Sequence, residues 1–410
     1  MPATRILYAW ELGGGLGHVS RFVPLSRALE ARGCAITWAL TDMAPAAALL
    51  GEGAATLRQA PRFPAEMAGL PEDQLAYSEV VMRYGYYNAE LLTPLLHGWR
   101  ELIREATPDL VITDHAPTAL LAARSLGIPA ARIGTGFCCP PAQEPEPPLM
   151  TWVPPGPDRR AESGRIVLAS INGALASFGA PPLTALSQMH EADEDFVTTY
   201  AGIDHYPQRN TPRWGVILGS EGGVAPEWPR ARGPRVFAYL KAHQAQTVPL
   251  LRALCRKHCN VLAYCPGLTP EQRAGPEAQG VCFSERPLDI EAATAACELV
   301  VCGGGHGTVC AALLAGRPLL IAPEMTEQGI TAYNVDLLGA GLAALPGQEP
   351  RYNAVITRLL HEPGFARAAH DFRSRHGEMS QARIVGAIAD RCMELAALPR
   401  SAVAIAAAAT

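Results

Sequence analysis

The sequence has 410 residues, which is more than one compact core usually holds and indicates two or three domains. Hydrophobic residues make up 49% and charged residues 18%, a globular composition that excludes disorder as the dominant state. The formal net charge of −5 argues against a protein that grips nucleic acid or anionic membranes through bulk electrostatics.

The start of the chain has no charged region followed by an apolar signal-peptide core, and no run of apolar residues is long enough to span a bilayer. We therefore expect a cytoplasmic protein. The eleven cysteines, an odd number, favour buried reduced thiols over a disulfide framework. Cys255 and Cys259 are close in sequence, but no second Cys/His pair lies at zinc spacing, so we expect no structural zinc.

Short apolar strands alternate with amphipathic helices in the first half of the chain. The predicted elements here are strands at Arg5–Trp10, Ala35–Leu40 and Leu110–Thr113 and helices at Val19–Arg32 and Leu91–Glu105. Strands separated by helices predict crossover units and a parallel sheet. The segment Pro140–Pro157 is too rich in proline for a regular element, so we expect a long surface loop.

The same alternation returns in the second half. The predicted elements are strands at Val236–Leu240, Val261–Tyr264, Leu299–Cys302 and Leu319–Ile321 and helices at Thr247–His258, Pro287–Cys297, Gly307–Leu314, Ala332–Leu338 and Gln381–Ala397. We predict an N-terminal domain over 1–214, a linker over 215–234, a C-terminal domain over 235–380, and a helix and tail over 381–410. The alanine-rich end, Ala402–Thr410, is expected to fray.

Two doubly wound α/β domains joined by a linker are expected to face each other across a cleft. Folds of this class bind ligands beyond the carboxyl ends of their strands. The loops that follow the predicted strands are therefore the places to look for chemistry.

The clearest chemical signal lies between the predicted strand Leu299–Cys302 and a predicted helix. The residues of this turn are Gly303, Gly304, Gly305, His306, Gly307 and Thr308. Glycines let a ligand approach the backbone closely, and free amides at a helix start bind phosphate or diphosphate. Thr308 would cap the helix or donate its hydroxyl to the same anion. The alternative is a tight strand-to-helix turn that binds no ligand.

Two polar residues, Glu327 and Gln328, follow the predicted strand Leu319–Ile321. A carboxylate beside an amide provides acceptors and donors that suit vicinal hydroxyls. Taken alone, the pair is more simply interpreted as a solvated helix start.

Together these residues resemble the donor-binding signature of nucleotide-sugar glycosyltransferases with the two-Rossmann GT-B fold, in the UDP-glycosyltransferase superfamily. That signature runs His-Gly-Gly-x-Gly-Thr/Ser and continues further along with Pro and Asp/Glu-Gln. It matches Gly303–Thr308, Pro323 and Glu327–Gln328. The resemblance implies two Rossmann-like domains, the C-terminal one binding a UDP- or TDP-linked sugar.

The chain departs from that family at two positions. Gly303 stands where the family has a histidine that contacts the diphosphate, and Ala311 where it has an acidic residue that contacts the ribose. The backbone cradle of the signature is retained. His306 is then the candidate to supply an imidazole to the phosphates.

A second match lies near the N-terminus, where the strand Arg5–Trp10 leads into a glycine loop and a helix. Loop and helix are similar to the family segment that carries the general base, and the resemblance places His18 at that position. It also implies that Asp114, at the end of a predicted strand, orients the His18 imidazole. Gly14 and Gly15 of the same loop are assigned to donor binding.

His18 and Asp114 also have structural interpretations. A histidine at a helix start often caps or packs, and Asp114 would serve as the N-cap of a helix at Pro117–Leu126. In the catalytic interpretation, a carboxylate on one imidazole nitrogen fixes the tautomer and stabilises the imidazolium. We expect the adjacent His115 to point to the opposite side of an extended chain.

Two motifs point to other functions. Gly13-x-Gly15-x-x-His18, with Asp42 after the next strand, approximates a dinucleotide fingerprint, but histidine replaces its third glycine. A hydride-transfer enzyme stays open on this basis, although it leaves the second glycine loop unexplained. Asp193-Glu-Asp195 superficially resembles a metal-binding D-x-D, and we interpret it as a solvated face. We expect no metal and no cofactor, the nucleotide-sugar being a substrate.

The acceptor side carries the weakest signal. Aromatic residues that suit either an acceptor wall or an ordinary core, with the core favoured, are Tyr77, Tyr84, Tyr86, Tyr87 and Trp99. The family holds its nucleobase at the segment matching Ser284–Leu288, often with a Trp and a Gln. Those two residues are Glu285 and Leu288 here, so the base is not identified.

We predict an inverting, metal-independent glycosyltransferase that moves a sugar from a nucleotide-diphosphate donor to a hydroxyl-bearing acceptor, with His18 as general base. The two glycine loops are expected to open onto one crevice. One alternative is a nucleotide-sugar epimerase, which needs no acceptor pocket. The other is a non-catalytic binding relative, for which the side chains of His18 and Asp114 would lie beyond hydrogen-bond reach.

Overall fold

The computed structural model describes residues 3–15, 17–50, 56–153, 157–219, 223–229 and 232–399. These residues form two compact units. Unit 1 contains the described residues within 1–199, 206–219 and 381–410, and unit 2 contains those within 200–205 and 220–380. The stretch Ala402–Thr410, predicted to fray, lies outside the described residues.

Unit 1 is built on a parallel sheet of six strands in the order β3-β2-β1-β4-β5-β6. The strands are β1 (Thr4–Trp10), β2 (Cys34–Leu40), β3 (Thr56–Gln59), β4 (Leu110–Asp114), β5 (Ala130–Gly134) and β6 (Glu194–Val197). The helices are α1 (Gly17–Glu30), α2 (Ala44–Leu50), α3 (Tyr77–Val81), α4 (Ala89–Ala106), α5 (Pro117–Leu126), α6 (Pro157–Ala176) and α14 (Gln381–Ala396). The central strands β4 and β5 are buried along their whole length, as expected when helices cover both faces of a parallel sheet.

The register of β1 against β4 fixes the position of the first glycine loop. Trp10, the last residue of β1, pairs with Asp114, the last residue of β4. The strand order reverses between these two strands, and such a switch point opens the crevice used by α/β folds. The β1–α1 turn and Asp114 therefore lie at the same edge of the sheet.

Helix α14 follows unit 2 in the chain but packs against α1 in unit 1. Its apolar residues Ile384, Ile388 and Leu395 join the core that contains Val19 and Phe22 of α1. The helix set apart in the sequence as a C-terminal segment is therefore part of the first core. The boundary between the units after residue 219 falls inside the segment expected to be a linker, 215–234.

Unit 2 is built on a second parallel sheet of six strands, in the order β12-β11-β10-β7-β8-β9. The strands are β7 (Arg235–Tyr239), β8 (Asn260–Tyr264), β9 (Cys282–Phe283), β10 (Leu299–Cys302), β11 (Leu319–Ile321) and β12 (Gly341–Ala343). The helices are α7 (Thr247–Arg256), α8 (Pro270–Ala278), α9 (Ile290–Ala295), α10 (His306–Leu314), α11 (Thr326–Leu337), α12 (Tyr352–His361) and α13 (Pro363–His376).

Counted from the first strand of each unit, both sheets have the same order, and unit 2 has its switch point between β7 and β10. Cys302 at the end of β10 pairs with Tyr239 of β7 on one side and with Ile321 of β11 on the other. The second glycine loop therefore leaves the sheet between the loops that follow β7 and β11.

Two predicted helices differ from the structure by more than two residues at an end. The helix expected over Pro287–Cys297 is only α9, because the Asp289 carboxylate accepts hydrogen bonds from the amides of Glu291 and Ala292 and so begins the helix there. The helix expected from Ala332 already begins at Thr326, as α11.

The interpretation of Asp193–Asp195 as a solvated face holds for Asp193, which is exposed, but not for Asp195. Asp195 lies in the edge strand β6 and forms a salt bridge of 2.6 Å with Arg132, whose side chain is only 5% exposed. The Asp193 carboxylate accepts a hydrogen bond from the Ala130 amide. Both acidic residues join β6 to β5.

Candidate active site

His18 and Asp114, predicted as base and orienting carboxylate, lie together in unit 1. His18 is the second residue of α1, and its Nδ1 is 2.9 Å from Oδ1 of Asp114. The Asp114 side chain is 1% exposed and that of His18 is 13% exposed. An acceptor–acceptor contact this short would be repulsive, so the proton sits on Nδ1 and the lone pair on Nε2.

The Asp114 carboxylate has two further partners that the sequence did not reveal. The hydroxyl of Tyr8 donates to Oδ2 at 2.9 Å, and Nη2 of Arg21 lies 2.8 Å from Oδ2 and 3.1 Å from Oδ1. Burial alone would raise the pKa of Asp114, but the Arg21 charge and the hydrogen bonds from His18 and Arg21 hold it well below its usual range. Asp114 is therefore a buried carboxylate that stays ionised.

Aromatic rings surround the His18 imidazole. It stacks on Trp10, with ring centroids 5.1 Å apart, and faces the His115 ring at 6.3 Å. The expectation that His115 points to the opposite side was wrong, because the chain is not extended there: His115 has φ +47° and turns back towards His18.

Gly13 leaves room for His18 Nε2. It has φ +84°, and a Cβ at this position would lie 2.9 Å from that nitrogen. Gly14 and Gly15 are exposed, and a Cβ at either would meet no atom within 4 Å. The assignment of Gly14 and Gly15 to donor binding stays a prediction.

Asp114 does not cap α5, because Glu11 does. Oε2 of Glu11 accepts from the Thr118 amide at 2.9 Å, and Oε1 accepts from the Thr118 hydroxyl at 2.5 Å. Burial raises the pKa of Glu11 to about 7, against the opposing effect of these hydrogen bonds. This carboxylate directly follows β1, and no sequence motif marked it.

In unit 2, the glycine turn after β10 opens a helix as predicted, but the cap differs. The N-cap of α10 is Gly305 and the helix begins at His306, so Thr308 lies inside the first turn and is not the cap. Gly305 and Gly307 are exposed, and a Cβ at either would meet no atom within 4 Å. The first amides of α10 thus lie under an open surface of the unit, the arrangement that binds anions.

The preceding glycines are packed tightly. A Cβ on Gly303 would lie 2.8 Å from Nε2 of Gln244, and one on Gly304 (φ +88°) would lie 2.9 Å from Ile321 and 3.1 Å from the Gln328 Cβ. Gln244 is held by hydrogen bonds to the Lys241 amide and the Ala322 carbonyl. The carboxamide of Gln244 therefore fills the space that a side chain at position 303 would enter.

His306 is buried, with Nδ1 3.5 Å from Sγ of Cys310 and its ring 6.4 Å from that of His205. Nε2 of His205 lies 3.3 Å from both the Glu327 carbonyl and the Thr331 hydroxyl. His205 connects the first turns of α10 and α11. The role of His306 in phosphate binding stays a prediction.

Glu327 and Gln328 lie in the first turn of α11 rather than in a loop. Oε1 of Gln328 accepts from the Glu324 amide at 2.8 Å, so the side chain also caps its own helix. Their assignment to donor binding stays a prediction.

No protein-family model matches the chain. Among characterised proteins it is similar to the elloramycin glycosyltransferase ElmGT of Streptomyces olivaceus, with 28% identity over 379 residues, 87% of this chain and 89% of the relative. The solved structure of the calicheamicin glycosyltransferase CalG4 superposes with a TM-score of 0.69 over 96% of this chain and 98% of that one, at 19% identity. The spinosyn rhamnosyltransferase SpnG complexed with thymidine diphosphate gives 0.67 over 94% and 100%, at 22% identity.

The chain is similar to characterised glycosyltransferases over most of its length, and its fold is that of the GT-B glycosyltransferases. The two parallel sheets match the fold of these enzymes, and the activity of the chain is glycosyl transfer. The resemblance read from its two glycine loops is confirmed.

Several other predictions about this glycosyltransferase concern residues away from the two loops. Tyr77, Tyr86 and Trp99 are buried, as favoured for a core, whereas Tyr87 is 39% exposed. Asp42, the acidic residue of the approximate dinucleotide fingerprint, accepts a hydrogen bond from the Ala44 amide at the start of α2. The described residues include all eleven cysteines, none of which is paired in a disulfide, and nine of them are buried.

Within the described ranges of this glycosyltransferase, no three His, Cys, Asp or Glu side chains are grouped so that they could hold a metal ion. A search of the same residues finds no helix with the length and apolar character needed to cross a membrane.

Proposed function

We propose that this GT-B glycosyltransferase moves a sugar from a UDP- or TDP-linked donor to an acceptor hydroxyl, with inversion at the anomeric carbon and without a metal ion. The observation that carries the proposal is the 2.9 Å contact between His18 Nδ1 and Asp114 Oδ1, which leaves the lone pair on Nε2. A non-catalytic relative would not need this contact. SpnG, a structural neighbour, was solved with thymidine diphosphate, which supports a TDP-linked donor.

The proposal assigns one substrate to each unit. Unit 2 would bind the diphosphate through the amides at the start of α10, where Gly305 and Gly307 leave the backbone open. These amides, with the His306 imidazole, would stabilise the departing diphosphate in the place of a cation. Glu327 and Gln328, in the adjoining turn of α11, would contact sugar hydroxyls.

Unit 1 would activate the acceptor. The acceptor O–H gives its proton to His18 Nε2 while the oxygen forms a bond to the anomeric carbon from the face opposite the diphosphate. The bond between that carbon and the diphosphate oxygen breaks, and the diphosphate leaves with the electron pair. Asp114 stabilises the imidazolium that results, and one displacement of this kind inverts the anomeric carbon.

A thermal-shift screen against UDP- and TDP-sugars would first identify the donor, since a ligand that binds the folded protein raises its Tm. Transfer from that donor to a panel of hydroxyl-bearing acceptors is then compared between the wild type, His18→Ala and, as control, His361→Ala at the exposed end of α12. We expect His18→Ala to lose about 10²- to 10⁴-fold in kcat while nucleotide affinity is retained.

Wild-type turnover by His18→Ala would refute the assignment of the base. Products formed from the nucleotide-sugar alone, with the sugar epimerised and no acceptor consumed, would replace transfer by epimerisation. Product analysis by mass spectrometry and by NMR of the anomeric proton separates these outcomes and reports inversion or retention.

A further inference from the structure

Two imidazole nitrogens lie over Gly13, in the glycine loop that follows β1. A Cβ at this position would lie 2.9 Å from Nε2 of His18 and 3.5 Å from Nδ1 of His115. Apart from Gly13 and its chain neighbours, the three atoms nearest to that point all belong to these two rings. Gly13 is exposed, whereas His115 is only 6% exposed. The glycine thus leaves a small space at the surface of unit 1 that both nitrogens line.

The backbone of His115 adopts an unusual conformation that brings its ring to this space. Its φ of +47° is left-handed, which is uncommon for a residue other than glycine. Thr107, with φ +45°, is the C-cap of α4, a position where this conformation is common. His115 ends no helix and precedes Ala116, the N-cap of α5. Strained residues of this kind are concentrated at functional sites, where the surrounding structure holds them.

The surroundings of His115 fix both its backbone and its ring. The carbonyl accepts a hydrogen bond of 2.9 Å from the Leu12 amide, which joins the end of β4 to the glycine loop. The ring packs against those of Tyr77 and Phe137, with centroids 5.9 and 5.8 Å away. Nδ1 of His115 is therefore held beside Gly13 before any ligand binds.

An attacking hydroxyl oxygen needs two kinds of hydrogen-bond partner. Its proton goes to a base, one lone pair forms the bond to the anomeric carbon, and the second lone pair is left to accept a hydrogen bond. In the function proposed above, the base is Nε2 of His18. Nδ1 of His115 lies near the same point and donates to the second lone pair in the tautomer that carries its proton there.

We propose that His115 binds the acceptor hydroxyl, its Nδ1–H donating to the oxygen while His18 Nε2 takes the proton of that oxygen. This inference rests on the function proposed above and adds a second residue to the acceptor site. The oxygen lies over Gly13, where another residue would place its side chain. His115 takes up no proton, and its hydrogen bond orients the lone pair that attacks the anomeric carbon.

Two substitutions of His115 separate the hydrogen-bond donor from the turn. Asparagine and glycine both tolerate a left-handed backbone. His115→Asn keeps an N–H donor two bonds from Cβ, at the same branch of the side chain as Nδ1, whereas His115→Gly removes the donor with the ring. If His115 served only the turn, the two variants would behave alike.

The kinetic test uses the donor found by the thermal-shift screen, with umbelliferone and, separately, water as the probe acceptors. We expect His115→Gly to lose about 10- to 100-fold in kcat/KM for umbelliferone and in the rate of donor hydrolysis, with unchanged affinity for the nucleoside diphosphate. His115→Asn should stay within about threefold of the wild type. Equal losses in the two variants, or wild-type kinetics in His115→Gly, would overturn the proposal.

His190→Ala is the matched control for lost packing. His190 is a second buried imidazole whose ring lies 5.3 Å from that of Tyr77, and it is not among the atoms nearest to the space over Gly13. We expect this variant to have a lower Tm and normal transfer. A loss of transfer as large as in His115→Gly would overturn the proposal, because the packing around Tyr77 would then account for both.

A crystal structure of the free protein gives a readout that needs no substrate. We expect an ordered water over Gly13 within hydrogen-bond distance of both His18 Nε2 and His115 Nδ1, in the place of the acceptor oxygen. The water should remain in His115→Asn and be lost in His115→Gly. A wild-type structure with no such water, or with a water that contacts one nitrogen only, would overturn the proposal even if no variant of His115 folds.

These experiments distinguish failure of the inference from failure of the proposed function. Wild-type transfer by His115→Gly, together with a loss in His18→Ala, would remove His115 from the site and leave the function in place. If His18→Ala retained transfer, the assignment of the base would fail whatever the variants of His115 show. If the wild type transferred to neither probe, the ordered water would decide the inference.

Discussion

The two glycine turns share a local pattern but have different surroundings. Each follows a central strand, contains three consecutive glycines and places a histidine at the start of a helix. The sheets have the same strand order, yet the turn of unit 1 follows the first strand and that of unit 2 follows the fourth. His18 meets a carboxylate and a guanidinium, whereas His306 packs against Cys310 and His205.

The neighbouring strands account for this difference. At the switch point of unit 1, β4 ends in Asp114, which lies opposite the end of β1. In unit 2, the strands on either side of β10 contribute Tyr239 and Ile321 at the matching positions. A strand–glycine–histidine–helix pattern is thus compatible with a base or with an anion cradle, and the next strand in the sheet distinguishes them.

The largest effect should come from Asp114→Asn. Asparagine carries no negative charge, so it does not stabilise the His18 imidazolium, and it no longer fixes the His18 tautomer as a carboxylate does. We therefore expect transfer to fall by about 10³-fold or more. His306→Asn at the other turn should reduce kcat less than about tenfold, because one hydrogen bond to the departing diphosphate is removed while the amides of α10 remain. Equal losses in the two variants, measured with one donor and one acceptor, would break the contrast between the turns.

Asp114→Asn should also lower the free energy of unfolding by about 3–5 kcal/mol, because the nearly buried charge of Arg21 loses its partner. The pKa of Asp114 is lower in the folded state, so its contribution to stability is present at neutral pH and is lost as the pH falls through that lowered pKa. Denaturant unfolding should show that the difference in free energy of unfolding between the wild type and Asp114→Asn becomes smaller in strong acid. A difference that grew in acid would contradict the conclusion that the pKa of Asp114 is lowered in the folded state.

Gly13→Ala and Gly304→Ala test the two turns at glycines with similar backbone conformations. Both have φ near +85°, and a new Cβ would lie 2.9 Å from His18 Nε2 in one case and 2.9 Å from Ile321 in the other. Backbone strain of about 1–3 kcal/mol is common to both. We expect Gly13→Ala to lower kcat by roughly 10²-fold and Gly304→Ala to weaken nucleotide binding with a smaller effect on kcat.

Gly33→Ala is the control, since Gly33 has the same φ of +84° but a Cβ there meets no atom within 4 Å. Kinetics and nucleotide titration of the three variants check the assignment. A loss of kcat in Gly33→Ala as large as in Gly13→Ala would mean that backbone strain matters and not the space around Nε2.

Glu11→Gln tests a buried carboxylate beside the first turn. The folded state holds the Glu11 proton up to about pH 7, above the unfolded value, so wild-type stability should decline as the pH rises between these values. Glutamine does not titrate, so the free energy of unfolding of the variant should not decline in this way. Relative to the wild type, the variant should become more stable by up to about 3 kcal/mol by pH 8. Unfolding free energies measured at pH 5 and pH 8 check the sign, and a variant that loses stability relative to wild type as the pH rises would refute it.

Gln328→Ala should have the smallest effect. Loss of one hydrogen bond to the sugar should weaken nucleotide-sugar binding by about five- to tenfold, with less effect on the free nucleoside diphosphate. Because Gln328 also caps α11, equal losses for both ligands in calorimetric titrations would point to a change in the helix start instead of a sugar contact.

The strands of both sheet centres were predictable from sequence because they are short apolar runs buried on both faces. β10 and β11 have the predicted bounds, β1, β2, β4 and β8 differ by one residue at one end, and β7 differs by one residue at each end. The edge strands β3, β6, β9 and β12 were not predicted, because many of their residues are exposed or half-buried and no fully buried apolar run marks them. Their place is decided by pairing with a neighbour.

His18 and Asp114 were found from the sequence through a family resemblance, but Arg21 was not. Its partner lies 93 positions away, and nothing local to α1 marks its side chain. Glu11 and Gln244 were missed for the same reason, since each is defined by a contact with a distant segment. The interpretation of Thr308 as the helix cap was wrong because helix starts are fixed by backbone geometry, which placed the cap at Gly305, and its assignment to donor binding stays a prediction.

The packing of α14 on α1 has a consequence for the order in which the molecule assembles during synthesis. The segments of unit 2 lie within 200–380 and precede α14, so the chain of that unit is complete before the last helix of unit 1 is made. Unit 1 begins first but finishes last, because Ile384, Ile388 and Leu395 arrive only at the end. The nascent chain must therefore carry an incomplete first core, the one that supports His18, until translation has passed α14.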